Sequence, residues 1–85
     1  MGRALSFSAP HGGGDVLALR HGPSGKPQII YDDGVGRRIV WQVLTPVAES
    51  RIVEALRIAA TRLKIVPALL EELKKRAILV DRAVA

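Results

Sequence analysis

The spacing of hydrophobic and polar residues divides the chain into a strand-like first half and a helical second half. In the first half, apolar residues alternate with polar ones, which is the period of a β-strand that buries one face. The predicted strands are residues 3–8, 15–21, 27–32 and 37–44. Turns rich in glycine and proline separate them. Such short connections favour an antiparallel meander, because parallel strands need crossovers of a dozen residues or more.

Alternation assigns the side chains of these strands to two faces. The more apolar face is predicted to form the core and contains Leu17, Leu19, Ile29, Tyr31, Ile39, Trp41 and Val43. The opposite face mixes apolar and polar side chains, namely Val16, Ala18, Arg20, Gln28, Ile30, Arg38, Val40 and Gln42. This second face is compatible with partial cover by a partner or a second subunit.

The second half has the period of a helix that begins at Thr45 and Pro46. A hydroxyl at the N-cap accepts from free backbone N–H groups, and proline at the first helical position loses no hydrogen bond. Apolar residues then recur at alternating spacings of four and three, a heptad seam of the kind that packs against another helix. The seam consists of Ile52, Leu56, Ala59, Leu63, Val66, Leu70, Leu73, Ala77, Val80 and Val84.

This seam predicts self-association, since a chain of this length buries too little surface alone. The predicted interface residues are Ile52, Leu56, Leu63, Leu70 and Leu73. Apolar residues beside the seam indicate that one flank of the helix packs on the chain's own sheet. These residues are Ile58, Ile65, Leu69 and Leu79.

Pro67 interrupts the helical pattern, because it removes a backbone hydrogen bond and clashes with the preceding turn. Either one helix kinks there, or two helices meet at residues 64–66. The unbroken seam, and the lack of a glycine or asparagine to end a helix, favour the kink. The predicted fold is therefore α+β: an antiparallel meander of three or four strands, then a long C-terminal helix kinked or broken near Pro67.

We expect one domain over residues 1–85, with the meander in residues 1–44 and a helical oligomerisation segment in residues 45–82. This order of elements resembles the single-strand-binding domains of the Whirly and transcriptional-coactivator type. The resemblance is one of topology and implies pairing through C-terminal helices. No residue motif accompanies it, so it assigns no site residue.

Composition excludes several classes of protein. The chain has no cysteine and two histidines, which excludes a disulfide scaffold and a conventional zinc module. No apolar run approaches the roughly 20 residues that span a bilayer, and no signal sequence opens the chain. We therefore expect a cytoplasmic protein with no membrane partner.

Candidate catalytic motifs are incomplete, and the sequence predicts no enzyme, cofactor, metal site or small-molecule substrate. Residues 22–26 resemble the end of a phosphate-binding loop, but Pro27 and a strand follow Lys26, so a turn is predicted. The glycines after His11 resemble an oxyanion loop without the nucleophile motif that such a loop serves. Asp32 and Asp33 are adjacent and are better suited to forming a turn than to acid–base catalysis.

The basic excess, a formal charge of +5, is the remaining functional signal. It predicts a small nucleic-acid-binding protein that contacts phosphates through Arg20, Lys26, Arg37 and Arg38, with Gln28 and Gln42 adding hydrogen bonds. Residues 59–70 also have the rhythm of a helix-turn-helix, although Glu71 and Glu72 would then face DNA phosphates. The alternative function is a non-enzymatic assembly or scaffold subunit, for example of a virion, whose basic excess is incidental.

Overall fold

A computed structural model of the protein describes residues 5–10 and 13–83, which form one antiparallel sheet covered on one face by two helices. The elements in chain order are β1 Leu5–Ser8, β2 Val16–His21, β3 Pro27–Asp32, β4 Arg38–Val43, α1 Glu49–Ala60, α2 Ile65–Lys75 and β5 Val80–Ala83. The five strands lie side by side in the order of the sequence. The predictions made for Arg3, His11 and Val84 lie outside the described residues.

The α+β class and the antiparallel meander are confirmed, but the number of elements differs from the prediction. The sheet has five strands, and two helices replace the single kinked C-terminal helix. The resemblance to domains with paired C-terminal helices therefore does not extend to the second half of the chain. No helix within residues 5–10 and 13–83 is long and apolar enough to cross a membrane.

The core lies between the sheet and the helices, on the face that alternation predicted. Trp41 is only 5% exposed there, and its neighbours on the same face of the sheet are also buried. The sheet supplies Leu17, Leu19, Ile29, Ile39, Trp41 and Val43, and the helices supply Ile52, Leu56, Ile65, Leu69 and Leu73. Tyr31 is partly buried and packs against this cluster. The structural assignment of Trp41 is thus confirmed.

The helical segment breaks before Pro67 because that proline is better placed at a helix start than in a helix interior. Helix α1 ends at Ala60, where the hydroxyl of Thr61 donates to the carbonyl oxygen of Ile58 at 2.7 Å. Pro67 is the third residue of α2. The first four N–H groups of a helix have no partner within it, so proline at this position costs no hydrogen bond.

Helix α2 ends in a Schellman motif that uses alanine where glycine is usual. The N–H of Ile78 donates to the carbonyl of Leu73 at 2.9 Å, and the N–H of Ala77 donates to that of Lys74 at 3.0 Å. Ala77 adopts the left-handed conformation that this motif requires, with a φ of 55°. The missing glycine therefore did not prevent the helix from ending, and the expectation that the helix continues to residue 82 is wrong.

The residues after α2 form β5, which pairs with β4 at the edge of the sheet. The register places Val80 opposite Val43 and Ala83 opposite Val40. Thr45 was predicted to cap the helix, but its hydroxyl instead accepts from the N–H of Leu79 at 2.7 Å. Helix α1 begins four residues later, at Glu49, without a side-chain cap.

The predicted heptad seam does not form one continuous stripe in this fold. Ile52, Leu56 and Leu73 are buried in the chain's own core, so their side chains are not available to a second molecule. Leu63 lies in the turn between the helices and is 85% exposed, and Leu70 on α2 is 42% exposed. The turn shifts the buried stripe of α2 onto Ile65 and Leu69, residues beside the predicted seam. Self-association remains a prediction, without the seam as its surface.

Candidate nucleic-acid interface

The second face of the sheet carries no helix, and we call it the open face. Its strand residues form three rows across the sheet, each set by the strand register. The first row is Arg20, Gln28, Gln42 and Asp81; the central row is Ser6, Ala18, Ile30, Val40 and Ala83; the third row is Ser8, Val16, Asp32 and Arg38. The residues predicted for this face therefore do share it.

The four predicted phosphate-binding residues form two pairs at opposite ends of the sheet. Arg20 lies near the end of β2, and Lys26 lies in the exposed turn that follows. Arg37 lies in the exposed turn before β4, and Arg38 is the first residue of β4. The row of Arg38 crosses β2 at Val16. The two pairs are thus separated by about 13 Å along the strand direction.

Arg20 is held in place by its neighbour on β3. Its Nε donates to Oε1 of Gln28 at 3.0 Å, and both side chains are partly buried. A guanidinium has five N–H donors in a planar fork, so this bond leaves the terminal nitrogens of Arg20 able to contact an anion. Gln42, directly opposite Gln28 on β4, extends the same polar row.

At the other end, the two aspartates organise the β3–β4 turn. Oδ1 of Asp33 accepts from the N–H groups of Val35 and Arg37, at 2.9 and 3.0 Å. Oδ1 of Asp32 accepts from the N–H of Gly34 at 2.8 Å. The backbone N–H groups of Val35 and Arg37 lower the pKa of Asp33. Both carboxylates are used in forming the turn, as the sequence predicted, and the turn fixes the backbone of Arg37.

The strand residues of the open face have no net charge. Arg20 and Arg38 are balanced by Asp32, directly opposite Arg38, and by Asp81 on β5. The positive excess comes from Lys26 and Arg37, which lie in the exposed turns at the two ends of the sheet. The three aromatic residues of the chain lie on the other side of the strands. The open face thus lacks an aromatic platform for base stacking.

Sequence reasoning missed the contributions of β5 to this face. Asp81 and Leu79 join it only because β5 pairs with β4. Leu79 lies beside Leu44, and these two side chains are 67% and 50% exposed. Residues 79–83 read Leu-Val-Asp-Arg-Ala, which does not alternate between apolar and polar side chains, so no strand period marks this segment in the sequence. Val80 also fits the heptad spacing, which favoured a helix there.

One polar contact on the helix-covered side was also missed. The hydroxyl of Tyr31 donates to Oδ2 of Asp15 at 2.7 Å. This hydrogen bond, followed by burial and the negative charge of Asp15, raises the pKa of Tyr31 to about 12. Tyr31 therefore keeps its proton at neutral pH and does not act as a base there.

A further polar contact lies at the end of α2, where the i,i+4 spacing of Glu72 and Arg76 predicts an ion pair and the structure confirms it. Arg76 and Lys75 both donate to the nearly buried carboxylate of Glu72. The hydrogen bond from Arg76 lowers the pKa of Glu72. Glu72 also lines a shallow groove beside the helix turn, with Arg62, Lys64, Pro67, Ala68, Glu71 and Lys75. None of the predicted site residues lies in this groove.

The other predicted motifs resolve into turns and helices. Gly25 donates to Gly22, and Gly22 to Lys26, both at 2.9 Å, so residues 22–26 form a turn between strands. The two helices are joined by residues 61–64, as in a helix-turn-helix. However, the exposed side of α2 presents Leu70 and Glu71, which do not suit a phosphate-lined groove. Within the described residues, no cluster of side chains is suited to hold a metal ion.

No protein-family model, curated protein or solved structure matches this chain significantly.

Proposed function

We propose that the protein binds nucleic acid on the open face, through contacts to the sugar–phosphate backbone. One observation carries this proposal: Arg20 and Arg38 lie on the sheet face that the helices leave uncovered, and Lys26 and Arg37 lie in the exposed turns at the two ends of the sheet. A strand of nucleic acid crossing the face between Arg20 and Arg38 passes over Gln28 and Gln42, whose amides can bond to phosphates.

The mode of binding follows from the side chains that the face contains. The open face has no aromatic residue on which a base stacks. The apolar side chains at its centre are almost inaccessible to a ligand, since Val40 is only 1% exposed. Contacts to phosphates carry no base information, so the expected binding tolerates any sequence. Because Asp32 and Asp81 lie on the same face, the affinity at physiological salt is expected to be modest.

The proposal is tested by fluorescence anisotropy with labelled single- and double-stranded DNA and RNA, over a range of salt concentrations. Four phosphate contacts predict a slope of log affinity against log salt between about −3 and −4. Arg37→Ala with Arg38→Ala removes two contacts and should reduce that slope by about half. The matched control is Arg51→Ala with Lys74→Ala, which removes the same charge from exposed positions on the helices.

Equal effects of the two double variants would show that the open face is not the binding surface. No binding of the wild-type protein at low salt to any of these nucleic acids would overturn the function itself. Binding that withstands high salt would also contradict contacts made mainly to phosphates.

A second candidate function, an assembly or scaffold subunit, is favoured by one observation. Leu44 and Leu79 form an exposed apolar pair at the β2–β3 end of the open face. Side chains of this kind are buried when a protein packs into a larger complex. The same salt titration separates the two candidates, because an assembly subunit with an incidental basic excess shows no binding that depends on Arg37 and Arg38.

A further inference from the structure

The two edges of the sheet differ in how they resist pairing with another strand. Edge strand β5 carries Asp81 and Arg82, both exposed, and charges of this kind protect a sheet edge. Edge strand β1 reads Leu-Ser-Phe-Ser and contains neither a charge nor a proline. Its Leu5 side chain is 38% exposed. Strand β1 therefore lacks the charge and the proline that keep an edge strand unpaired, and its short length of four residues is the protection that remains.

The ladder between β1 and β2 shows which backbone groups of the edge remain available. The N–H of Ala9 donates to the carbonyl of Asp15 at 3.0 Å, in register with the pairs Leu5–Leu19 and Phe7–Leu17. Hydrogen-bonded pairs alternate with non-bonded pairs in an antiparallel ladder. The backbone groups of Leu5 and Phe7 thus face β2, and those of Ser6 and Ser8 face outward.

We infer that a second copy of this chain pairs with β1, antiparallel and across a two-fold axis normal to the sheet. In the register that uses the outward groups of both serines, Ser6 lies opposite the partner's Ser8, and the two pairs exchange four backbone hydrogen bonds. Phe7 then lies opposite the partner's Phe7 in a close, non-bonded pair. An aromatic cross-strand pair of this kind stabilises an antiparallel ladder.

Charge explains why the two-fold forms at β1 rather than at β5. The two-fold registers that overlap β5 most fully set Asp81 against the partner's Asp81, or Arg82 against the partner's Arg82. Like charges directly opposite each other destabilise a ladder. At β1 the same symmetry brings together only serine and apolar side chains. The edge is thus self-complementary in hydrogen bonds and free of charge repulsion.

Pairing at β1 joins the two sheets and places both open faces on the same side of the dimer. The contact is small, because β1 contributes only four residues. Small interfaces of this type give weak, reversible association. The dimer is therefore expected at high protein concentration rather than at nanomolar concentration.

Sedimentation of the full chain without nucleic acid, at concentrations up to about 1 mM, tests this inference. Ser6→Lys with Ser8→Lys sets lysine against lysine in the proposed register and should weaken dimerisation by about tenfold or more. Ser24→Lys with Ser50→Lys adds the same charge at exposed positions in a turn and on α1, and should dimerise like the wild type. Circular dichroism checks that each variant is folded.

Cross-linking tests the register, because the chain has no cysteine of its own. In a non-bonded antiparallel pair the Cα atoms are about 4.5 Å apart, which is within the range for a disulfide. Phe7→Cys should therefore form a disulfide-linked dimer faster than Ser24→Cys at the same concentration. A wild-type protein that stays monomeric at the highest concentration, or a lysine variant that dimerises as tightly as its control, would overturn the inference. Equal cross-linking of the two cysteine variants would overturn the register.

Discussion

The hydroxyl of Thr45 accepts a hydrogen bond from the backbone N–H of Leu79 at 2.7 Å, across 34 positions of the chain. Next to it, the N–H of Leu44 donates to the carbonyl of Leu79 at 2.8 Å. These two bonds fix the point at which the chain returns from the helices to the sheet. A threonine whose sequence context is that of a helix cap thus holds Leu79, the residue that precedes β5.

Replacement of Thr45 tests the contribution of this contact to stability. Thr45→Val keeps the shape of the side chain but removes the acceptor of the Leu79 N–H, so it should lower the free energy of unfolding by about 1 kcal/mol. Thr45→Ser keeps the hydroxyl and should remain close to the wild type. Chemical denaturation measures both. Equal stability of the valine and serine variants would show that the hydrogen bond contributes nothing.

Glycine is predicted to be required at position 34 for two reasons. The backbone there has a positive φ, and the backbone of Gly14 lies close to it. The φ of Gly34 is +81°, and a Cβ there would lie 2.9 Å from the carbonyl oxygen of Gly14. Gly25 has a φ of +82° with no atom within 4 Å of an added Cβ, so it is a matched control. Gly25→Ala should cost about 1 kcal/mol, and Gly34→Ala at least about 1 kcal/mol more. Equal losses in thermal denaturation would exclude an effect of the contact with Gly14.

Ala77 is predicted to be a site where glycine stabilises the protein. The residue holds a left-handed conformation, with a φ of 55°, that costs alanine more than glycine. Ala77→Gly should raise the free energy of unfolding by about 1 kcal/mol, even after the greater entropy of glycine in the unfolded chain is counted. Ala68→Gly, within α2, should instead lower it by about 1 kcal/mol. The urea concentrations at the unfolding midpoints of the two variants should therefore shift in opposite directions from that of the wild type.

Tyr31 is predicted to ionise at unusually high pH. It is the only tyrosine in the chain, so the near-ultraviolet absorbance of its phenolate reports on it alone. The wild type should titrate with a pKa of about 12, and Asp15→Asn should return the pKa toward 10.0, the ordinary value for tyrosine. A titration unchanged by Asp15→Asn would show that the contact with Asp15 does not form.

The raised pKa of Tyr31 also makes stability depend on pH. The folded state holds the proton more tightly than the unfolded state does, so the contribution is complete below pH 10. It decreases as the pH rises toward 12. The free energies of unfolding of the wild type and of Asp15→Asn, measured by chemical denaturation, should therefore converge over this pH range.

The sequence predicts those parts of the fold that depend on neighbouring residues and leaves out those that depend on distant ones. In strands β2, β3 and β4 successive side chains point to opposite faces of the sheet, so alternation placed both Trp41 and Arg38 on the correct sides. Strand β5 owes its conformation to pairing with β4. Taken from the sequence, Val80 fits the heptad pattern of a helix equally well. Pro67 predicted either a break or a kink in the helix, and the choice between them depended on how Ile65 and Leu69 pack in the shared core.

The same division applies to the candidate interface. Arg20, Gln28 and Gln42 were expected on one face because strand periodicity is local, and the register aligns them in one row. The acidic residue at the end of that row, Asp81, was missed because it reaches the face only through β5. The balance of charge on the open face therefore required the tertiary structure.

The position of β5 has a consequence for how the chain folds. Strands β1 to β4 are joined by turns and pair with close neighbours in the sequence. The pairing of β4 with β5, by contrast, closes a long loop that contains both helices. Pairing between nearby segments precedes the closure of long loops. Until β5 docks, β4 is an unprotected edge, and it contains the apolar run Ile39–Val40–Trp41. During refolding at high protein concentration, β4 is therefore the strand most prone to aggregate. Pairing with β5 protects the edge of β4 from other molecules.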